Sequence, residues 1–221
     1  LALDRVYNLT PLQYTKNRKF SNWQKFQKKY ASRSHNLKHN DLKKLDRYEK
    51  YHTEFINQFC DLKGRVLDIG CGPMLNHYNF IEKKLLPEID YFGLDPQIEL
   101  FEGNQNCVQG VAEYLPFQDE MFDSIFMISV IDHVIDPDQA LSELHRVLKS
   151  KGRAYISSPM RHLTWKTELR KFFLKRYRSA THVTEFNEPK LKRFLGNHNF
   201  EIVRTARSKE YSKNLFLEVS K

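Results

Sequence analysis

The chain has little cysteine, little glycine and no long apolar run. Three cysteines, Cys60, Cys71 and Cys107, stand in 221 residues. Their odd number and wide spacing outline neither a disulfide framework nor a zinc knuckle, so no metal is expected and a reducing compartment, the cytoplasm, is. The longest apolar stretch runs only from Ser124 to Ile131, far short of the ~20 residues a membrane-spanning helix needs. No secretory leader is expected from the opening residues. It starts on Leu1 rather than Met, and a segment upstream is expected. Internal repeats and low-complexity tracts are missing too. Of the eight glycines, two sit in R-V-L-D-I-G-C-G-P-M (65–74), and the third glycine of a dinucleotide fingerprint is absent: position 75 is Leu75.

What is abundant is charge of one sign. Lys and Arg number 36 against 27 Asp and Glu, a formal net charge of +9, with 40% hydrophobic and 29% charged residues. The hydrophobic share supports one globular α/β domain with a proper core. The basic excess favours anionic partners: nucleic acid, a phosphorylated metabolite, an acidic glycan or a membrane surface. A lysine-rich surface without a partner accounts for it equally.

Residues 1–63 contain no clear strand. Phe20, Trp23, Phe26 and Tyr30 form one helical stripe, and Leu42, Leu45, Tyr48, Tyr51, Phe55 and Phe59 another, predicting two or three helices packed on the main domain. From Arg65 strands and helices alternate. Short strands are expected at R-V-L-D-I-G, D-Y-F-G-L-D (90–95), N-C-V-Q-G-V (106–111), D-S-I-F-M-I-S-V (123–130) and R-A-Y-I-S-S-P (153–159). Helices are expected over 75–86, 137–152 and 188–198, the second with an early acid, a late basic turn and a glycine stop. Two final strands, F-E-I-V-R-T-A and N-L-F-L-E-V-S, are joined by a short polar link. Alternation of this kind predicts a doubly wound, mostly parallel sheet, closed at one edge by an antiparallel pair.

In such sheets ligands bind beyond the carboxyl ends of the strands, at the switch point. Gly70 and Gly72 there permit a tight turn and close backbone approach. A pyrophosphate would want a glycine-rich turn without a carboxylate beside it. Asp68 suits a cation instead, and Asp95, ending the second strand, is placed to accept from ribose hydroxyls. The pattern asks for a nucleoside that carries positive charge and no phosphate, which describes S-adenosylmethionine.

V-L-D-I-G-C-G-P, G-L-D-P, A-E-Y-L-P-F-Q-D-E-M-F-D-S-I, S-V-I-D-H-V and L-S-E-L-H-R-V-L-K-S-K-G-R-A-Y-I-S-S-P follow one another in order. Together they resemble the class I S-adenosylmethionine-dependent methyltransferases of the small type-11 group, from about Arg65 to Pro159. The resemblance implies a seven-stranded sheet of order 3-2-1-4-5-7-6 with strand 7 antiparallel. It also implies N-terminal helices that close over the cofactor, with Tyr30 and Arg33 as contacts. By position, Asp68, Gly70, Cys71 and Gly72 would hold the methionine part, Asp95 the ribose, and Pro96 and Gln97 the adenosine. Ala112 and Glu113 would lie by the adenine edge, and Ser129 and Val130 by the methyl group. Family members often carry a glycine where Met74 stands and an acid where Val111 stands. Val111 cannot accept from the adenine amino group, which leaves Glu113, or backbone and apolar contacts, for that edge.

Methyl transfer to a hydroxyl needs close positioning and a proton acceptor. Asp132, His133, His162 and His182 are the candidates, although His133 reads more readily as a packing histidine that caps its loop. Glu143 and His145, within the helix after the fourth strand, read as solvated. Residues 161–178, R-H-L-T-W-K-T-E-L-R-K-F-F-L-K-R-Y-R, place Trp165, Leu169, Phe172, Phe173 and Tyr177 on one helical face with basic residues around the rest. This reads as a lid over the acceptor, with a membrane surface or polyanion as a second use of its outer face. The organisation expected is a helical cap over 1–63 and a cofactor domain over 64–221 with a lid inserted at about 160–185. The function expected is methylation of a small molecule at oxygen, the acceptor being a glycan, a lipid-linked compound or a secondary metabolite. The alternatives are an RNA or protein methyltransferase and a non-catalytic subunit that binds the cofactor. A nicotinamide dehydrogenase is opposed by Asp68 and the missing glycine.

Overall fold

The computed structural model describes residues 25, 56, 59–72, 88–97, 106–160, 183–207 and 214–221. Seven strands form one sheet: β1 (Gly64–Ile69), β2 (Ile89–Asp95), β3 (Cys107–Gln109), β4 (Phe122–Ile128), β5 (Leu148–Pro159), β6 (Glu201–Arg207) and β7 (Asn214–Ser220). Their order is β3-β2-β1-β4-β5-β7-β6, the order expected. β1 to β5 run parallel, and β7 lies antiparallel to both β5 and β6. Two helices, α1 (Pro137–Val147) and α2 (Glu188–Asn197), are described in full.

The central strands are apolar on both faces, as a sheet covered on both sides requires. Leu67, Ile69, Ile125 and Met127 pack on one side with Leu141, Leu144, Leu191 and Leu195 of the two helices. Val66, Tyr91, Phe126, Tyr155 and Phe216 pack on the other with Ile56 and Phe59. Of the N-terminal aromatic stripes only Phe59 is described, and it is buried against the sheet as expected. The remaining stripes, the helix expected over 75–86 and the basic segment 161–178 lie outside the described residues.

Both helices start on side-chain caps. Asp136 accepts from Gln139 N at 3.1 Å and Asn187 from Lys190 N at 2.9 Å, each ahead of a proline in the first turn, which together satisfy orphan amides and preset the backbone. The structure corrects the end of α1. The glycine stop at Gly152 predicts a helix to 152, but the helix ends at Val147 and β5 begins at Leu148. Leu148 is fully buried and pairs with Phe122, so tertiary pairing overrides the local signal. The reversal falls to Lys151, whose φ is +67°. β4 likewise stops at Ile128, two residues early, because Ser129 turns to a φ of +56°. The carboxyl ends of β1, β2 and β4 thus meet where the chain order reverses, and the site lies there.

Candidate cofactor and active site

The turn after β1 is built on backbone amides. Gly70 N and Cys71 N both donate to Leu94 O, at 2.6 and 3.2 Å. Gly72 N donates to Asp95 Oδ2 at 3.1 Å, and Gln97 N to Asp95 Oδ1 at 2.8 Å. Gly70 and Gly72 hold φ of +71° and +53°, values that disfavour a side chain. They differ in surroundings. A Cβ on Gly70 would lie 2.5 Å from Val130 Cγ2, whereas nothing stands within 4 Å of one on Gly72. Gly70 is shaped by packing, and Gly72 faces open space where a ligand can approach. Burial pushes the Asp95 carboxyl up, against the lowering effect of the two amides it receives.

Above the turn lies a cavity of about 270 Å³ lined by Ile69, Gly70, Gly72, Leu94, Asp95, Pro96, Val111, Ala112, Glu113, Ser129, Val130, His133 and Val134. Nine residues singled out from the sequence are among them: Gly70, Gly72, Asp95, Pro96, Ala112, Glu113, Ser129, Val130 and His133. Asp68, Cys71, Gln97 and Asp132 do not line it. Asp68 is 1% exposed and accepts from Tyr91 Oη at 2.8 Å. Burial first, then the charge of Asp68, pushes the Tyr91 hydroxyl up, so it stays a donor. Asp68 therefore braces the turn from beneath. Gln97 is buried, and its Oε1 has no hydrogen-bond partner among the described residues.

Glu113 fills a place the sequence did not reveal. Its Oε1 accepts from Ile135 N at 2.8 Å and Asp136 N at 3.2 Å, so the carboxylate holds the loop after β4. Burial pushes its carboxyl up, against those same amides. At the near end of that loop His133 N donates to Val130 O at 2.8 Å. Its middle is tied as well, since Val183 N and Thr184 N donate to Asp132 O at 2.8 and 3.2 Å. Asp132 is 2% exposed, and its Oδ2 stands 3.8 Å from His133 Nε2. Ser129 N donates to both Ser157 O and Ser157 Oγ, at 3.0 and 3.1 Å. A left-handed serine at a strand end is uncommon and persists where its surroundings hold it. His162 and His182 lie outside the described residues. The stretch between them leaves at Met160, which bridges Phe186, and returns at Val183 beside Asp132.

Glu143 and His145 are not solvated as expected. Glu143 Oε2 accepts from Leu115 N at 2.8 Å, and Arg146 donates to Glu143, Leu115 O, Phe117 O and Asp119. The His145 ring meets Phe200 edge-on at 5.3 Å. The Glu143–Arg146 pair holds the chain that follows Glu113, a contact across 28 residues that no local pattern announces. The apolar walls Leu94 and Val134 also went unread, because each looks like an ordinary core residue, whereas Val111 lines the cavity at the edge where the sequence placed it.

The donor set fits an adenosyl sulfonium. Asp95 lines the cavity and accepts one amide on each oxygen, leaving capacity for a ribose diol, the walls beside Ala112 suit a flat apolar base, and Gly72 opens onto space. Among the described residues no group of three or more His, Cys, Asp or Glu could hold a metal, and no helix is long and apolar enough to cross a membrane.

Comparison with known proteins agrees. A family profile described as a methyltransferase domain matches residues 40–205. The chain is 31% identical over 151 residues to a ubiquinone/menaquinone biosynthesis C-methyltransferase, UbiE, of Francisella tularensis, covering 61% of this chain and 60% of that one. It is 34% identical over 115 residues to a tRNA U34 carboxymethyltransferase of Campylobacter hominis, covering 47% and 39%. The chain thus spans less than two thirds of these relatives. The crystal structure of a SAM-dependent methyltransferase from Aquifex aeolicus superposes with a TM-score of 0.59 at 20% identity, over 81% of this chain and 96% of that one, a likeness of fold. With a family match over well more than half its length, the chain belongs to the methyltransferase domain family, among the class I S-adenosylmethionine-dependent methyltransferases.

Proposed function

We propose that the chain transfers the methyl group of S-adenosylmethionine to a hydroxyl oxygen of a small-molecule acceptor, a glycan, a lipid-linked compound or a secondary metabolite, in the cytoplasm. The cofactor supplies an electrophilic methyl on a sulfonium. The chain supplies position and a proton acceptor. The observation that carries this reading is His133, on the wall of the cofactor cavity, in a loop tied at Val130, Asp132 and Glu113. A loop so held presents the imidazole without further ordering. Asp132 stands close enough to stabilise the imidazolium formed as His133 removes the hydroxyl proton. His162 and His182 are kept as alternative bases. In this reading residues 64–221 form the cofactor domain, 1–63 cap it, and the basic stretch at about 160–185 supplies the acceptor side, where an anionic acceptor or a membrane surface would meet it.

Release of S-adenosylhomocysteine over a panel of glycan, lipid-linked and phenolic hydroxyl acceptors tests the proposal. His133→Ala should lower turnover by roughly 10²- to 10⁴-fold while leaving cofactor affinity unchanged. Full turnover in that variant would remove His133 from the role. The net charge of +9 favours a second reading, an RNA acceptor. That reading requires RNA binding that weakens steeply with salt, and its absence at low salt sinks it.

A further inference from the structure

Gly93 stands between two sulfurs. A Cβ at that position would lie 2.6 Å from Cys107 Sγ and 2.9 Å from Cys71 Sγ. The bare backbone of β2 thus makes room for two thiols from its two sides: Cys71 from the ligand turn and Cys107 from β3, where it pairs in register with Gly93. Both are free, Cys71 is buried, Cys107 is half-buried, and the two sulfurs flank the same bare position on β2. They are 36 residues apart and play no part in the transfer described above.

We propose that Cys71 and Cys107 are a dithiol that a peroxide oxidises to a disulfide across the ligand turn, and that the disulfide weakens cofactor binding. The accessible partner reacts first. Cys107 thiolate attacks one oxygen of the peroxide, the O–O bond breaks, hydroxide leaves, and Cys107 becomes a sulfenic acid. The Cys71 sulfur then attacks it. The S–S bond forms as the S–O bond breaks, and the Cys71 proton leaves with the hydroxyl as water. Two thiols are oxidised and one peroxide is reduced to two waters. Cys107 is the more exposed of the two, while Cys71 is buried, and its neighbour Cys107, its burial and Asp68 push its thiol up. This division suits an attacking and a resolving cysteine.

A disulfide needs the sulfurs at about 2 Å, so the two side chains must close on each other over Gly93. Cys71 sits between Gly70 and Gly72, whose amides hold Leu94 O and Asp95. Drawing its side chain toward β3 moves those amides, and the carboxylate proposed for the ribose moves with them.

The test treats the full chain with hydrogen peroxide, maps peptides, and titrates S-adenosylhomocysteine before and after. A Cys71–Cys107 linked peptide is expected, with affinity falling about ten-fold and restored by dithiothreitol. Cys107→Ser should bind normally when reduced and keep its affinity after peroxide, and Cys60→Ser should respond as the unaltered chain does. The inference fails if no linked peptide forms, or if it forms without change in affinity. It rests on the cofactor reading only for the second readout: a reduced protein that binds no cofactor would overturn that reading, while the linked peptide is scored by itself.

Discussion

The two ends of the parallel sheet carry similar residues and use them differently. At the amino ends Arg65, Asp90, Asp123 and Lys149 line a shallow hollow and neutralise one another. Lys149 Nζ holds both oxygens of Asp123 at 2.8 and 2.9 Å, and Arg65 stands 3.6 Å from Asp90. At the carboxyl ends Asp95 and Glu113 receive only backbone amides, and Glu113 is buried. The charges at one end are spent on each other, whereas those at the other remain for a ligand. The acid chemistry follows. Burial raises Asp95 and Glu113. Asp123 is pushed up by burial but more strongly lowered by Lys149 and Arg65 N.

The largest expected break in this contrast is Asp95→Ala. Loss of hydrogen bonds to a charged group costs about 1.5–3 kcal/mol, so cofactor affinity should fall about 10- to 100-fold by calorimetry. Asp123→Ala should leave affinity unchanged. Next comes the glycine pair. Gly70→Ala meets both a left-handed φ and Val130, and should destabilise by about 1–3 kcal/mol in denaturant unfolding. Gly72→Ala meets only the φ, at about 1 kcal/mol, and should weaken the cofactor more than the fold.

The two ends should also differ in sign with pH. Glu113 has its folded value raised, so its favourable contribution is present below the unfolded value and is lost as pH rises through the folded one. Glu113→Gln keeps an oxygen for Ile135 and Asp136 and removes the buried charge. It should gain stability at pH 7, a gain that vanishes below the ordinary value of 4.5. Asp123 has its folded value lowered, so its contribution is present above 3.8 and lost as pH falls. Asp123→Asn should lose stability at pH 7, by under about 1 kcal/mol for so exposed a pair, and lose nothing near pH 2. Smallest of all, Asp90→Ala should stay within about 0.5 kcal/mol, since both members of its pair with Arg65 are open to water. Melting curves across pH read all three.

The strand order was legible because V-L-D-I-G, G-L-D-P and S-V-I-D-H-V each pair an apolar strand with a polar end, and strands of this kind sort by alternation and resemblance. Gly70, Gly72, Asp95 and Ser129 were legible for the same reason: they sit where strands stop. What escaped depends on contacts distant in sequence. Glu113 lines the cavity where the sequence placed it, but nothing local shows that it also holds the amides of Ile135 and Asp136, 22 and 23 residues away. Glu143 looked solvated because Leu115 is not visible from its helix. The Cys71–Cys107 pair escaped because three cysteines at wide spacing suggest nothing, and only the bare backbone of Gly93 brings two of them together. Gly152 misled in the opposite way, a sound local stop overruled by the pairing of Leu148 with Phe122.

Calorimetric titration of S-adenosylhomocysteine into the unaltered chain, Asp95→Ala and Asp123→Ala tests the central claim, that the carboxyl end of the sheet is the cofactor site. The account predicts one site of micromolar affinity, lost or weakened at least ten-fold in Asp95→Ala and unchanged in Asp123→Ala. Equal affinity in all three proteins, or no binding to the unaltered chain, would contradict it.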